Sequence, residues 1–111
     1  MTDAEADVIA ERRRQVEAEG WTQEHDDKHT GGEMARAAGL YALVAGADPT
    51  NLRNARSGSG MGDVYQDALN RLWPWHRSWF KSTTRRQNLV KAGALILAEI
   101  ERLDRLPQQE D

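Results

Sequence analysis

Residues 85–105 read RRQNLVKAGALILAEIERLDR, and the apolar spacing inside this stretch decides the fold class. Leu89, Gly93, Ile96, Ile100 and Leu103 recur at alternating steps of four and three, which places them on one stripe of a helix, and Val90 and Leu97 widen it. That stripe is expected to be a core seam. Ser82, Thr83 and Thr84 offer N-cap hydroxyls ahead of it, Glu101 can pair with Arg105 one turn on, and Pro107 stops continuation. The apolar run from Ala92 to Ala98 is far shorter than the roughly 20 residues a bilayer span requires. Charge flanks it on both sides, so no membrane partner is expected.

Working outward, the chain of 111 residues is long enough for a single helical domain with a modest core. One copy has a thin core, so a homodimer or larger homo-oligomer is expected. A net charge of -3 argues against duplex recognition by phosphate neutralisation, so no DNA or RNA partner is expected. With no cysteine there is neither a disulfide framework nor a thiolate metal site, and no signal-like apolar segment follows Met1. A cytoplasmic location is the expectation.

Asp3 to Glu19 is rich in helix formers but carries only Val8, Ile9 and Val16 as an apolar set, so a first helix with a narrow buried face is predicted. Arg12, Arg13 and Arg14 point in different directions around it and are read mainly as solvated partners of Glu11, Glu17 and Glu19. Gly20 ends that helix as a C′ residue. Glu33 to Ala45 is a second helix, with Met34, Ala37, Ala38, Tyr41 and Val44 at helical intervals. Its small residues, Ala35, Ala37, Ala38, Gly39, Ala42 and Ala45, invite close approach by Ala92, Gly93, Ala94 and Ala98 of the last helix. Residues 46–63 form a long irregular loop in which Arg53 and Arg56 can close over an anion, and its SGSGMG lacks the lysine of a phosphate-binding loop. Val64 to Leu72 follows as a short helix with Tyr65, Leu69 and Leu72 inward. About four helices in an all-α bundle result.

Two stretches carry the chemistry. In WTQEHDDKHTGG, residues 21–32, Glu24, His25, Asp26, Asp27 and His29 crowd carboxylates and imidazoles into one segment that can hold a hard cation or tune a proton donor. The segment is read as a polar turn with Trp21 against the core; no H-x-x-x-H pair on a helix and no EF-hand loop is counted in it. In WPWHRSWFK, residues 73–81, three tryptophans and a phenylalanine alternate with His76, Arg77 and Lys81. Such a mixture gives a base a stacking face and puts cations near phosphates. Trp73 and Phe80 are expected in the core, with Trp75 and Trp79 available to a ligand or a partner chain. Arg85 and Arg86 extend the cationic side.

The runs ERRRQVEAEGWTQEHDDKHTGGEMARAAGLYA, WPW…WFK and RRQNLVKAGALILAEIERLDR resemble a small protein family of tailed phages and prophages. At greater distance, the order ERxRQ, Trp, GE-x-A and LV…A…A-x-I-E-x-L resembles the MazG-like all-α nucleotide pyrophosphohydrolases. That resemblance implies a helical homo-oligomer holding magnesium with E-x-x-E and E-x-x-D carboxylates, and a place in the cytoplasm of an infected or lysogenic bacterial host. Glu33 matches the second glutamate of E-x-x-E, but Thr30 stands in place of the first, and Asn88 and Lys91 fall where the other motif has acids. A lysine in place of a ligand repels a cation, so the family's metal site reads as dismantled.

The expectation is therefore a noncatalytic phage protein that binds a nucleotide and sequesters a host immune signal, a cyclic dinucleotide or an ADP-ribose derivative. Its ligand-binding set is Trp21, Glu24, His25, Asp26, Asp27, His29, Glu33, Trp75, Trp79, Lys81, Arg85, Arg86 and Lys91, with Arg85, Arg86 and Lys91 facing phosphates and no cofactor. Two alternatives stand beside it. One is a magnesium-dependent nucleoside triphosphate pyrophosphohydrolase using Glu24, Asp26, Asp27 and Glu33 as metal ligands; the other is a protein-binding inhibitor of a host enzyme.

Overall fold

The computed structural model describes residues 1–47 and 61–107, and among them every regular element is helical. The helices run in the order α1 (Asp3–Glu17), α2 (Gln23–Asp27), α3 (Glu33–Gly46), α4 (Met61–Leu72) and α5 (Arg85–Asp104), with a 3-10 turn at Arg77–Trp79 ahead of α5. The all-α class is as expected, and α2 adds a helical turn inside the segment read as a polar loop. Residues 48–60, with Arg53 and Arg56, and the side chain of Tyr65 lie outside the described residues.

Local chemistry sets the helix ends. Thr2 and Glu5 form a capping box: the Thr2 hydroxyl accepts the Glu5 N–H at 3.2 Å and the Glu5 carboxylate accepts the Thr2 N–H at 3.0 Å. Thr22 caps α2 by accepting the His25 N–H, and Thr84 caps α5 by accepting that of Gln87. Past α1, Gly20 turns the chain with φ +75°, a left-handed backbone that a side chain would strain, and the Trp21 N–H reaches back to the Gln15 carbonyl at 3.0 Å. Gly32 does the same at the start of α3, with φ +82°.

α3 and α1 pack on α5 over the largest areas, and α2 touches it more lightly. α3 lies along it, joining Met34, Ala37, Ala38, Leu40 and Tyr41 to Ala92, Leu95 and Ala98, with Trp73 closing one end of the cluster. α1 packs against α5 elsewhere, and at Gly93 an added Cβ would stand 3.2 Å from a Val8 methyl. The expected pairing of small residues thus holds for Ala37, Ala38, Ala92 and Ala98, whereas Gly93 makes room for α1 and Ala35, Gly39 and Ala42 face outward.

Several expectations are corrected. The stripe Leu89, Ile96, Ile100 and Leu103 is not the seam: each is about half exposed, at 51%, 48%, 49% and 51%. α5 instead buries Asn88, Val90, Ala92, Ala94, Leu95, Ala98 and Arg102, because alanine on both facing surfaces lets helices approach more closely than branched side chains allow. On α1 the buried residues are polar, Glu11 and Gln15, while Val8, Ile9 and Val16 are half-buried. Glu11 is satisfied by a two-pronged bond from Arg14, at 2.7 and 2.8 Å, and by the Gln15 amide at 3.3 Å. Glu101 pairs with Arg12 rather than Arg105, and Arg105 with Asp27. Leu69 packs on the core as expected, but Leu72 is 41% exposed.

This packing makes two stability predictions, both readable by denaturant titration. Leu95→Ala, at a site 1% exposed, costs about 2–5 kcal/mol by loss of transfer energy and creation of a cavity. Gly39→Ala, mid-helix with open space around the new methyl group, stabilises by about 0.5–1 kcal/mol.

Candidate functional site

The site is built from the Trp73–Phe80 segment and the α1–α2 connection. Pro74 keeps the chain after α4 from continuing as helix, and the indole N–H of Trp73 donates to the His76 carbonyl at 3.0 Å, curling the segment back on itself. Trp73 sits edge-on against Tyr41, Trp75 and Phe80, with centroid separations of 5.8, 5.3 and 5.0 Å. Trp73 and Phe80 therefore belong to the core and its border, as expected. Trp75 turns to the other side and meets Trp21 at 5.8 Å. Between them opens a cavity of about 360 Å³ lined by Glu19, Trp21, His25, Trp75, His76 and Trp79. Trp79 is 51% exposed and forms an outer wall.

α2 supplies the floor. Asp26 is fully buried and divides its two oxygens: Oδ2 accepts from the Arg12 guanidinium at 2.7 Å, and Oδ1 lies 3.1 Å from His25 Nδ1. His25 Nε2 stands 3.2 Å from His29 Nε2, and His29 Nδ1 is 3.1 Å from Glu33 Oε2. Trp21 stacks on the His25 ring within 3° of parallel, and Trp75 meets the His29 ring edge-on. Burial pushes the Glu33 carboxyl up, but hydrogen bonds from its own amide, His29 and the Gly31 amide outweigh that, leaving it below the usual glutamate range. The Glu33 carboxylate folds so closely over Gly31 that a Cβ there would lie 2.6 Å from Oε1.

The sequence reading counted no histidine pair at helical spacing, because residues 21–32 read as a turn. With α2 helical and Lys28 still in the right-handed region, His25 and His29 stand one turn apart with both rings on one side. The missed signal was present: Thr22 before QEHDDK is an N-cap followed by helix-compatible residues. Glu19 and His76 were also missed as cavity walls, since only the chain reversal at Gly20 and the curl after Pro74 bring them there.

The expected cationic half of the site is largely dispersed. Arg85 Nε donates to the Ala45 carbonyl at the end of α3, and Arg86 pairs with Asp7 of α1 at 2.8 Å; neither lines the cavity. Lys91 donates to the Lys81 carbonyl and lies over the Tyr41 ring, beside a separate space of about 20 Å³ between α1 and α5; burial lowers its pKa. Lys81 lines the same small space as Lys91, which shares Glu19, Trp21 and Trp79 with the cavity, and its Nζ lies 5.6 Å above the Trp79 ring and 3.6 Å from Glu19. The carboxylates proposed as magnesium ligands are likewise not assembled: Asp26 is held by Arg12, Asp27 by Arg105, Glu33 meets His29, and Glu24 is exposed. Among the described residues no group of three or more His, Asp or Glu converges on a metal-sized point.

Searches against family models, curated proteins and solved structures return no match. Among the described residues no helix is long and apolar enough to cross a membrane.

Two substitutions test the floor. Arg12→Ala leaves Asp26 charged and fully buried, which costs about 3–5 kcal/mol, whereas Arg13→Ala at an exposed neighbour stays within about 0.5 kcal/mol; urea titration measures both. Because the pKa of Glu33 is lowered on folding, its contribution is present above the unfolded glutamate value and is lost as pH falls. Stability measured from pH 7 downward therefore drops less steeply in Glu33→Gln than in the wild type.

Proposed function

We propose that this protein binds a nucleotide in the tryptophan-lined cavity without hydrolysing it. The observation that carries this reading is the convergence of Trp21, Trp75 and Trp79 on a space of about 360 Å³, at the lower end of the range typical of small-molecule sites. Indole faces stack on any base, and Glu19, His25 and His76 on the same wall offer acceptors and donors to its edge. Lys81 above the Trp79 ring supplies positive charge for a phosphate. With Asp26, Asp27 and Glu33 already engaged by neighbours, the carboxylate cradle that hydrolysis requires is lacking among these residues, which favours binding over cleavage. In the phage setting that the sequence resembles, the corresponding role is sequestration of a host immune signal such as a cyclic dinucleotide or an ADP-ribose derivative.

Calorimetry against a panel of cyclic dinucleotides, ADP-ribose derivatives and nucleoside triphosphates tests this. Binding is expected for at least one class, weakened in Trp79→Ala by about 1–3 kcal/mol, with Arg85→Ala and Arg86→Ala close to the wild type. Magnesium-dependent release of pyrophosphate, or absence of binding at protein concentrations well above micromolar, overturns the reading.

Self-association belongs to the same proposal. Leu89, Ile96, Ile100, Leu103 and Leu106 stand 48–51% exposed along one side of α5 and just beyond it, an apolar row of the kind that another chain can cover. Light scattering is expected to report a homodimer or larger assembly that Ile96→Glu with Leu103→Glu converts to monomer. A monomeric wild type excludes it.

A further inference from the structure

We infer that His25 and His29 form a binding site for a borderline transition-metal cation of the zinc class, opening on the tryptophan-lined cavity. Their Nε2 atoms are 3.2 Å apart. Two nitrogens bound at zinc's usual distance in a near-tetrahedral arrangement are separated by about the same amount, ~3.3 Å. The ring centroids are 4.6 Å apart with the planes at 62°, closer than two imidazoles pointing head-on across that gap would stand. The two rings therefore meet at an angle rather than head-on. The i, i+4 placement on one helical turn is the spacing by which two histidines share a metal.

The far side of each ring supports the same assignment. His25 Nδ1 faces Asp26 at 3.1 Å and His29 Nδ1 faces Glu33 at 3.1 Å, and an Nδ1–H donated to each carboxylate leaves Nε2 as the bare donor. Carboxylates so placed hold ring orientation and raise ligand basicity. Asp26 is itself held by Arg12. Two bare nitrogens facing one another at 3.2 Å repel unless a cation lies between them, and only a proton or a metal ion fits. The carboxylates Asp26 and Glu33 favour either.

The chain supplies two nitrogens, leaving the remaining coordination positions to water or to a ligand. His25 lines the cavity, and the side chains of His25 and His29 are 31% and 23% exposed, so those positions have access to solvent. Nitrogen donors select zinc, cobalt, nickel or copper over magnesium. This assignment stands independently of nucleotide binding.

The test uses tag-free, full-length protein without nucleotide. Calorimetric titration with Zn²⁺ is expected to show one site per chain, or one per pair of chains if a second copy completes the sphere, with no heat from Mg²⁺. Co²⁺ is expected to give the intense visible bands of a low-coordinate nitrogen-ligated ion, a readout that needs no mutation. His29→Gln weakens Zn²⁺ at least tenfold, and Glu33→Gln, which leaves both nitrogens in place, weakens it about tenfold or more. Helicity of each variant is checked first, since Trp21 and Trp75 pack on these rings. No Zn²⁺ heat with folded wild type, or equal affinity in His29→Gln, overturns the site and leaves the gap to a shared proton.

Discussion

One guanidinium holds the molecule's working parts in register. Arg12 of α1 donates to Asp26 of α2 at 2.7 Å, to the Trp21 carbonyl at 3.3 Å and to Glu101 of α5 at 3.3 Å. Each partner lies on a different segment, so the fork ties the start of the cavity wall, its floor and the longest helix to one side chain. Arginine suits this because its donors are fixed in a plane and its charge does not titrate. Asp26 has no exposed surface and would be costly to leave unpaired. Its second oxygen then orients His25, which links the packing of α1 on α5 directly to the geometry of the imidazole pair.

Around that fork the bundle divides its labour by side-chain size. Where α3 meets α5, alanines on both helices permit close packing, and Leu40, Met34 and Leu95 fill the space between. Where α1 meets α5 the buried layer includes Glu11 and Gln15, and neutrality is kept locally through Arg14. The bulky residues Leu89, Ile96, Ile100 and Leu103 are left on the outside of α5 as a consequence, since the contacts with α3, α1 and α2 leave one face of the helix uncovered. The aromatic cavity occupies the end of the bundle where Trp73 caps the core and Trp75 turns away from it.

Much of the candidate site was legible as composition but not as geometry. The enrichment of Trp75, Trp79, Trp21 and His25 in two short segments singled these residues out, and those side chains do meet around one cavity. Arg85, Arg86 and Lys91 were grouped with them by nearness in sequence, yet the rise and rotation of α5 send Arg85 toward α3, Arg86 toward α1 and Lys91 over the Tyr41 ring. The histidine pair had the right spacing all along. It went unread as a pair because a five-residue helix carries too little periodicity, and its one local signal was the Thr22 cap.

Taken alone, the sequence determined the all-α class, the extent of α5 and α3, a hydroxyl cap for α5 from among Ser82, Thr83 and Thr84, and the core membership of Trp73, since these follow from periodicity, capping chemistry and bulk within a few neighbouring residues. Only the tertiary structure decided which side of α5 is buried, which carboxylate each arginine takes, and that His25 Nε2 and His29 Nε2 stand 3.2 Å apart. The physical reason is that an amphipathic pattern specifies an apolar face but not the distance of closest approach. Small residues won the interface here because contact at short range between alanines outweighs burial of larger side chains that would hold the helices apart.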